Sequence, residues 1–167
     1  MKRFYQTLLI LIFSASLTYG QAEKVQAMFV YNFTKYIEWP ASTKSGNFVI
    51  AILGNSPIYE ELIKIAESKN VGNQTIVVRK INSTSEISDQ HIVFISENKS
   101  SEIERVTNKI GSNPILLITE SSGMIGKGAG INFIIVDNKQ RFEMKKENIT
   151  SKGLKISSEL EKFAIIR

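Results

Sequence analysis

The period of the apolar positions changes along the chain. Between residues 23 and 38, Val25, Met28, Phe29, Phe33, Tyr36 and Ile37 recur at helical spacing and predict one helix with a single apolar stripe. Pro40 ends it, because the residue before a proline avoids the helical region, and Trp39 then turns back onto the body. Residues 47–53, Asn-Phe-Val-Ile-Ala-Ile-Leu, lack polar alternation and predict a strand buried on both faces, stopped by Gly54. Ser56 reads as an N-cap and Pro57 as the first residue of a helix that carries Ile58, Leu62, Ile65 and Ala66 inward as far as Ser68.

The alternation continues downstream. A strand is expected over 75–81, a polar connection over 82–88, a short buried strand over 91–95, and a helix over 100–110 with Ile103, Val106 and Ile110 inward. A strand over 114–119 follows. Two more, 131–136 and 140–144, are joined near Asp137-Asn138-Lys139, whose first two residues tolerate tight hairpin geometry. A short helix over 157–165, with Leu160, Phe163 and Ala164 inward, closes the pattern. Strands alternating with helices and then a hairpin predict an α/β fold: a three-layer sandwich with a mainly parallel sheet of about six strands and an antiparallel C-terminal hairpin.

The first twenty residues follow a different logic. Lys2 and Arg3 precede an apolar run from Leu8 to Phe13, and Thr18 and Gly20 stand at −3 and −1 before Gln21. This is the pattern of a secretory signal peptide over residues 1–20, leaving residues 21–167 as a single domain in the periplasm. The run is shorter than the roughly 20 residues a membrane span needs. The chain has no cysteine, so neither disulfides nor a lipoprotein anchor are available, and a core of this size must hold by packing. Loss of Lys2 and Arg3 lowers the formal charge from +5 to +3. Lysines and glutamates are intermixed and no basic stripe with interleaved aromatics occurs, which argues against nucleic acid as a partner.

Residues suited to covalent chemistry are scarce. His91 is the single histidine and starts a buried strand, where a satisfied structural role is the ordinary one. One histidine and no cysteine make a zinc site uncommon, and no catalytic, metal or cofactor residues are assigned. The glycine-rich segment Gly123-Met-Ile-Gly-Lys-Gly-Ala-Gly130 is followed by a strand rather than the helix a phosphate loop needs. The turn at Gly54, Asn55 and Ser56 lies between a strand and a helix, where open α/β sheets bind ligands, and the 96–99 loop belongs at the same end. Those two loops are the crevice the topology offers for a small ligand.

Three blocks taken together resemble a known family. They are Ala27-Met-Phe-Val-Tyr-Asn-Phe-Thr-Lys-Tyr-Ile-Glu-Trp-Pro40, then Phe48-Val-Ile-Ala-Ile-Leu-Gly54, then Gly128-Ala-Gly-Ile-Asn-Phe133 through Arg141-Phe-Glu-Met144 to Gly153-Leu-Lys-Ile-Ser-Ser-Glu-Leu160. In this order they resemble the YfiR/HmsC-like periplasmic regulators. The resemblance implies a repressor, not an enzyme. Such a repressor binds the periplasmic domain of a membrane-bound diguanylate cyclase or sensor kinase and lowers cyclic di-GMP and biofilm formation. It further implies a homodimer and sequestration by an OmpA-like outer-membrane lipoprotein. It places partner binding at Phe133, Glu143 and Ile149 and a small-ligand pocket near Lys155 and Ser157. The better-known members rely on disulfides, which this chain lacks, so redox control is not implied. The competing expectation is a periplasmic small-ligand-binding or sensor domain of a signalling or transport system.

Overall fold

The computed structural model describes residues 21–167, and the expected signal peptide lies outside the described residues. The first helix, α1, is described over 21–36 and runs directly into a short strand, β1 (Ile37–Glu38). The central strands are β2 (Phe48–Leu53), β4 (Gln74–Ile81), β5 (Ile92–Ile95) and β6 (Leu116–Thr119). Helices α2 (Ile58–Ala66) and α3 (Ile103–Ile110) make the crossovers after β2 and β5. The hairpin is β7 (Ile131–Val136) with β8 (Lys139–Met144), followed by α4 (Lys146–Thr150), β9 (Lys155–Ile156), α5 (Ser158–Phe163) and β10 (Ile165–Ile166).

The main sheet has eight strands in the order β10-β8-β7-β6-β5-β2-β4-β3, where β3 is Asn70–Val71. The ladders from β4 through β7 are parallel, while the β7–β8 and β3–β4 pairs are antiparallel. The α/β sandwich expected from the sequence is therefore present, wider by two edge strands. A separate two-stranded ribbon pairs β1 with β9, Ile37 facing Ile156 and Glu38 facing Lys155. Among the described residues no helix is long and apolar enough to cross a membrane.

Two cores flank the sheet. The first joins α1, α2 and α5 to one face: Ala27, Val30 and Phe33 meet Ile58, Leu62 and Leu160 over Phe48, Ile50, Phe94, Phe133 and Phe142. The second joins α3 to the other face, with Ile103, Val106 and Ile110 over Ala51, Leu53, Val93, Ile95 and Leu117. Successive strand residues point to opposite faces, so the uninterrupted apolar runs of β2, β5 and β6 feed both cores at once. The hairpin feeds only the first: among the described residues none of the second core comes from β7 or β8. The sandwich has three layers over the central strands and two over the hairpin. Asp137 and Asn138 have φ of 50° and 57°, the left-handed pair that a two-residue hairpin turn requires.

Three local expectations are corrected. Val25 and Met28 are 39% and 54% exposed, while Gln26, Ala27 and Val30 are buried, so the inward stripe of α1 is rotated from the one expected. Phe163 is 59% exposed because α5 ends there and the chain turns into β10; Leu160 alone anchors that helix. Pro57, not Ser56, takes the cap position of α2, and no side chain caps it; the Ser56 carbonyl instead accepts from the Tyr59 amide at 3.2 Å.

Candidate functional site

The expected ligand residues fall at opposite ends of the sheet. Gly54, Asn55 and Ser56 follow β2 at its carboxyl end. Gly54 has φ +92°, and a Cβ there would lie 2.3 Å from Ser96 Oγ and 2.6 Å from Asn98 Oδ1. The Asn55 amide donates to Asn98 Oδ1 at 3.5 Å. The two loops do meet, and at Gly54 they fill the space between them. Ser56 is buried with its hydroxyl beside Glu120, whose carboxylate accepts from the Glu97 amide at 3.1 Å. Burial, together with the nearby Glu97 and Glu23 carboxylates, pushes the Glu120 carboxyl above the usual range, against the opposing pull of those hydrogen bonds.

Lys155 and Ser157 lie at the other end, along a groove of about 650 Å³. Its floor comes from the segment after α1. Trp39 Nε1 donates to the His91 carbonyl at 3.2 Å and its ring meets Phe48 edge-on at 5.0 Å. Phe48 stacks in turn on the His91 ring at 4.3 Å. That ring is spoken for on both sides: Nδ1 accepts from the Val49 amide at 3.2 Å, which fixes Nε2 as the protonated nitrogen facing the Thr43 carbonyl at 2.8 Å. The β1–β9 register brings Glu38 and Lys155 together, at 4.0 Å, and Lys44 joins them at 3.3 Å from Glu38. Ser157 caps α5, its Oγ accepting from the Leu160 amide. The groove is thus lined by Tyr36, with Trp39 and Phe48 packed behind it, and rimmed by Lys35, Lys44 and Lys155, the last two paired with Glu38. This suits a small anion with an apolar or aromatic body. Glu38 and Lys44 were not singled out from the sequence, although the adjoining Trp39-Pro40 pair was.

The partner residues implied by the resemblance gather at the hairpin. Phe133 is buried among Phe29, Phe33 and Phe94, with ring centroids 6.1–6.4 Å away. Ile149 is buried against Gly130, whose lack of a Cβ makes room for it. Neither presents its side chain at the surface. Glu143 points to the face of the hairpin opposite the first core, where its side chain is 13% exposed beside Arg167. Its Oε2 accepts from Asn132 Nδ2 at 3.3 Å and its Oε1 from Arg167 Nε at 2.7 Å. Asn132 is fully buried in β7, and its Oδ1 accepts from Thr119 Oγ1 at 2.7 Å. A second, shallower groove of about 590 Å³ runs past Glu120, Phe133, Ile134, Glu143 and Arg167.

The model of one family, described as YfiR/HmsC-like, matches residues 23–165, nearly the whole chain. The chain belongs to the YfiR/HmsC-like family. That family is regulatory rather than catalytic, and its theme is periplasmic control of cyclic di-GMP signalling. No curated protein matches the chain.

Proposed function

We propose that this YfiR/HmsC-like chain is a periplasmic repressor that docks on the periplasmic domain of a membrane-bound diguanylate cyclase and favours its inactive state, lowering cyclic di-GMP and biofilm formation. Membership of the family across residues 23–165 is the observation that carries this reading. The uncovered hairpin face, with Glu143 held in place by buried groups, supports it as a docking surface. A protein of this kind works by differential affinity: shifting a two-state enzyme from mostly on to mostly off needs a preference of about 5.5 kcal/mol for the off state. A sensor kinase domain as the target, a homodimer as the working form and an OmpA-like lipoprotein as the sequestering partner belong to the same reading. Deleting the gene is the test. Cyclic di-GMP and surface attachment are expected to rise, and unchanged levels of both would defeat the repressor reading.

The aromatic and lysine-lined groove favours a second reading, in which the domain senses a small anionic ligand at Lys155 and Ser157. Thermal melts of the purified protein against aromatic carboxylates and phosphates check it. A ligand at a hundred times its Kd adds about 2.7 kcal/mol of stability, so binding shows as a raised Tm. A flat response across the set would remove this reading.

A further inference from the structure

The strand β10 occupies the edge of the sheet in an unusual way. It pairs with only two residues of β8, Ile165 with Glu143 and Ile166 with Met144, in parallel. The Arg167 amide donates to the Met144 carbonyl at 3.0 Å, and the guanidinium lands on Glu143 Oε1 through both Nε and Nη2 at 2.7 Å. The segment is lightly held: Ile166 is 47% exposed and the Arg167 side chain 55%. Glu143 is also held from inside the sheet, where Asn132 donates to its Oε2 at 3.3 Å and Thr119 donates to Asn132. β10 also cannot lengthen its ladder in cis. Ahead of Ile165 only Ala164, opposite Phe142, is extended; Phe163, which would face Arg141, already belongs to α5.

We propose that the outer edge of β8, ending in the Glu143 carboxylate, is a receptor for an extended segment of a partner protein bearing two apolar residues followed by an arginine, and that β10 fills this receptor in cis until such a segment displaces it. The proposal rests on the docking reading above and names the chemistry of what docks. An incoming strand repeats every contact β10 makes and adds ladder bonds at Gln140, on the outer edge of β8 beyond the residues that β10 pairs with, which gives exchange its driving force. The arginine supplies the register, because its guanidinium has one carboxylate to meet.

A labelled peptide, Val-Thr-Val-Ala-Ile-Ile-Arg, tests this by fluorescence anisotropy against the full chain and its Arg167→Ala variant. Removing the competing cis arginine is expected to tighten peptide binding about tenfold over the unmodified chain. The same peptide with its arginine replaced by glutamine is expected to bind at least about tenfold more weakly to Arg167→Ala. Absence of binding to both proteins at millimolar peptide, or equal binding of the two peptides, would overturn the proposal. Arg167 is exposed and outside both cores, so its variant is expected to melt with the parent. The readout needs no cyclase. Peptide binding with an unaltered deletion phenotype would defeat the repressor reading alone, and the converse would defeat this proposal alone.

Discussion

The central strands and the hairpin lie in one sheet and are built to different rules. β2, β5 and β6 are apolar at every position but one, Thr119, and every side chain is buried, because helices cover both of their faces. β8 alternates: Phe142 and Met144 enter the first core, while Arg141 and Glu143 stand on the side where, among the described residues, no α-helix contributes a second core. Where both faces are closed, the sheet can only be a scaffold. Where one is open, polar groups can be presented to another molecule from a rigid platform. Thr119 and Asn132 mark the boundary, since they spend buried space on orienting Glu143 rather than on packing. Buried polar groups are tolerated when each finds a partner, and these do.

The largest difference is expected within β7 itself. Phe133→Ala removes a ring from the aromatic cluster beneath α1 and is expected to cost about 3–5 kcal/mol in denaturant unfolding. Ile134→Ala, one residue on and half-buried on the opposite face, is expected to cost less, about 1–2 kcal/mol. Equal costs would mean that the hairpin is enclosed on both faces after all. A second contrast uses added volume. Ala51→Leu enlarges a residue that faces the second core and is expected to cost about 1–3 kcal/mol through overpacking, whereas Ile134→Leu should be close to neutral.

The same contrast explains what could be read from the chain. The doubly covered strands announce themselves as apolar runs, and Phe48–Leu53 lies within the predicted 47–53. α1 was harder because two apolar stripes coexist on it. Val25 and Met28 compete with Ala27 and Val30, and the choice is made by distant partners: Gln26 is drawn in by its bond to Gln140 at 3.2 Å. Phe163 has the spacing of a core residue, but it is the last residue of a helix whose successor is a strand. Among the site residues, Lys155 meets Glu38 only through pairing across the ribbon, a contact that no local pattern encodes. Glu143 was reached by resemblance. The support beneath its carboxylate, from Thr119 through Asn132, joins strands that become neighbours only in the sheet.

That support can be tested on its own. Asn132→Ala leaves Thr119 Oγ1 and Glu143 Oε2 without their partner and is expected to cost about 1–3 kcal/mol. Thr119→Val in the same background is expected to add less than it costs alone, because the two changes remove one shared bond. Strict additivity in that double-mutant cycle would show that the buried groups do not act as a unit.

The smallest effect concerns Glu120, which stands at the end of β6 where the covered strands meet the hairpin. Burial first, then the neighbouring Glu97 and Glu23 carboxylates, make this carboxyl hold its proton more tightly than it would in the unfolded chain. Protonation therefore favours the folded state. The gain is fully present below the ordinary glutamate range and is lost as the pH rises through the elevated folded-state value. Glu120→Gln keeps an acceptor for the Glu97 amide and removes the ionisation, so its Tm is expected to exceed that of the parent by a small margin at neutral pH and to converge with it in acid. Melts from acid to neutral pH read this directly. A gap that is constant with pH would place the cost in lost hydrogen bonding. A gap that widens in acid would mean that the carboxylate is stabilised at this junction, and that the boundary between scaffold and open face carries no electrostatic strain.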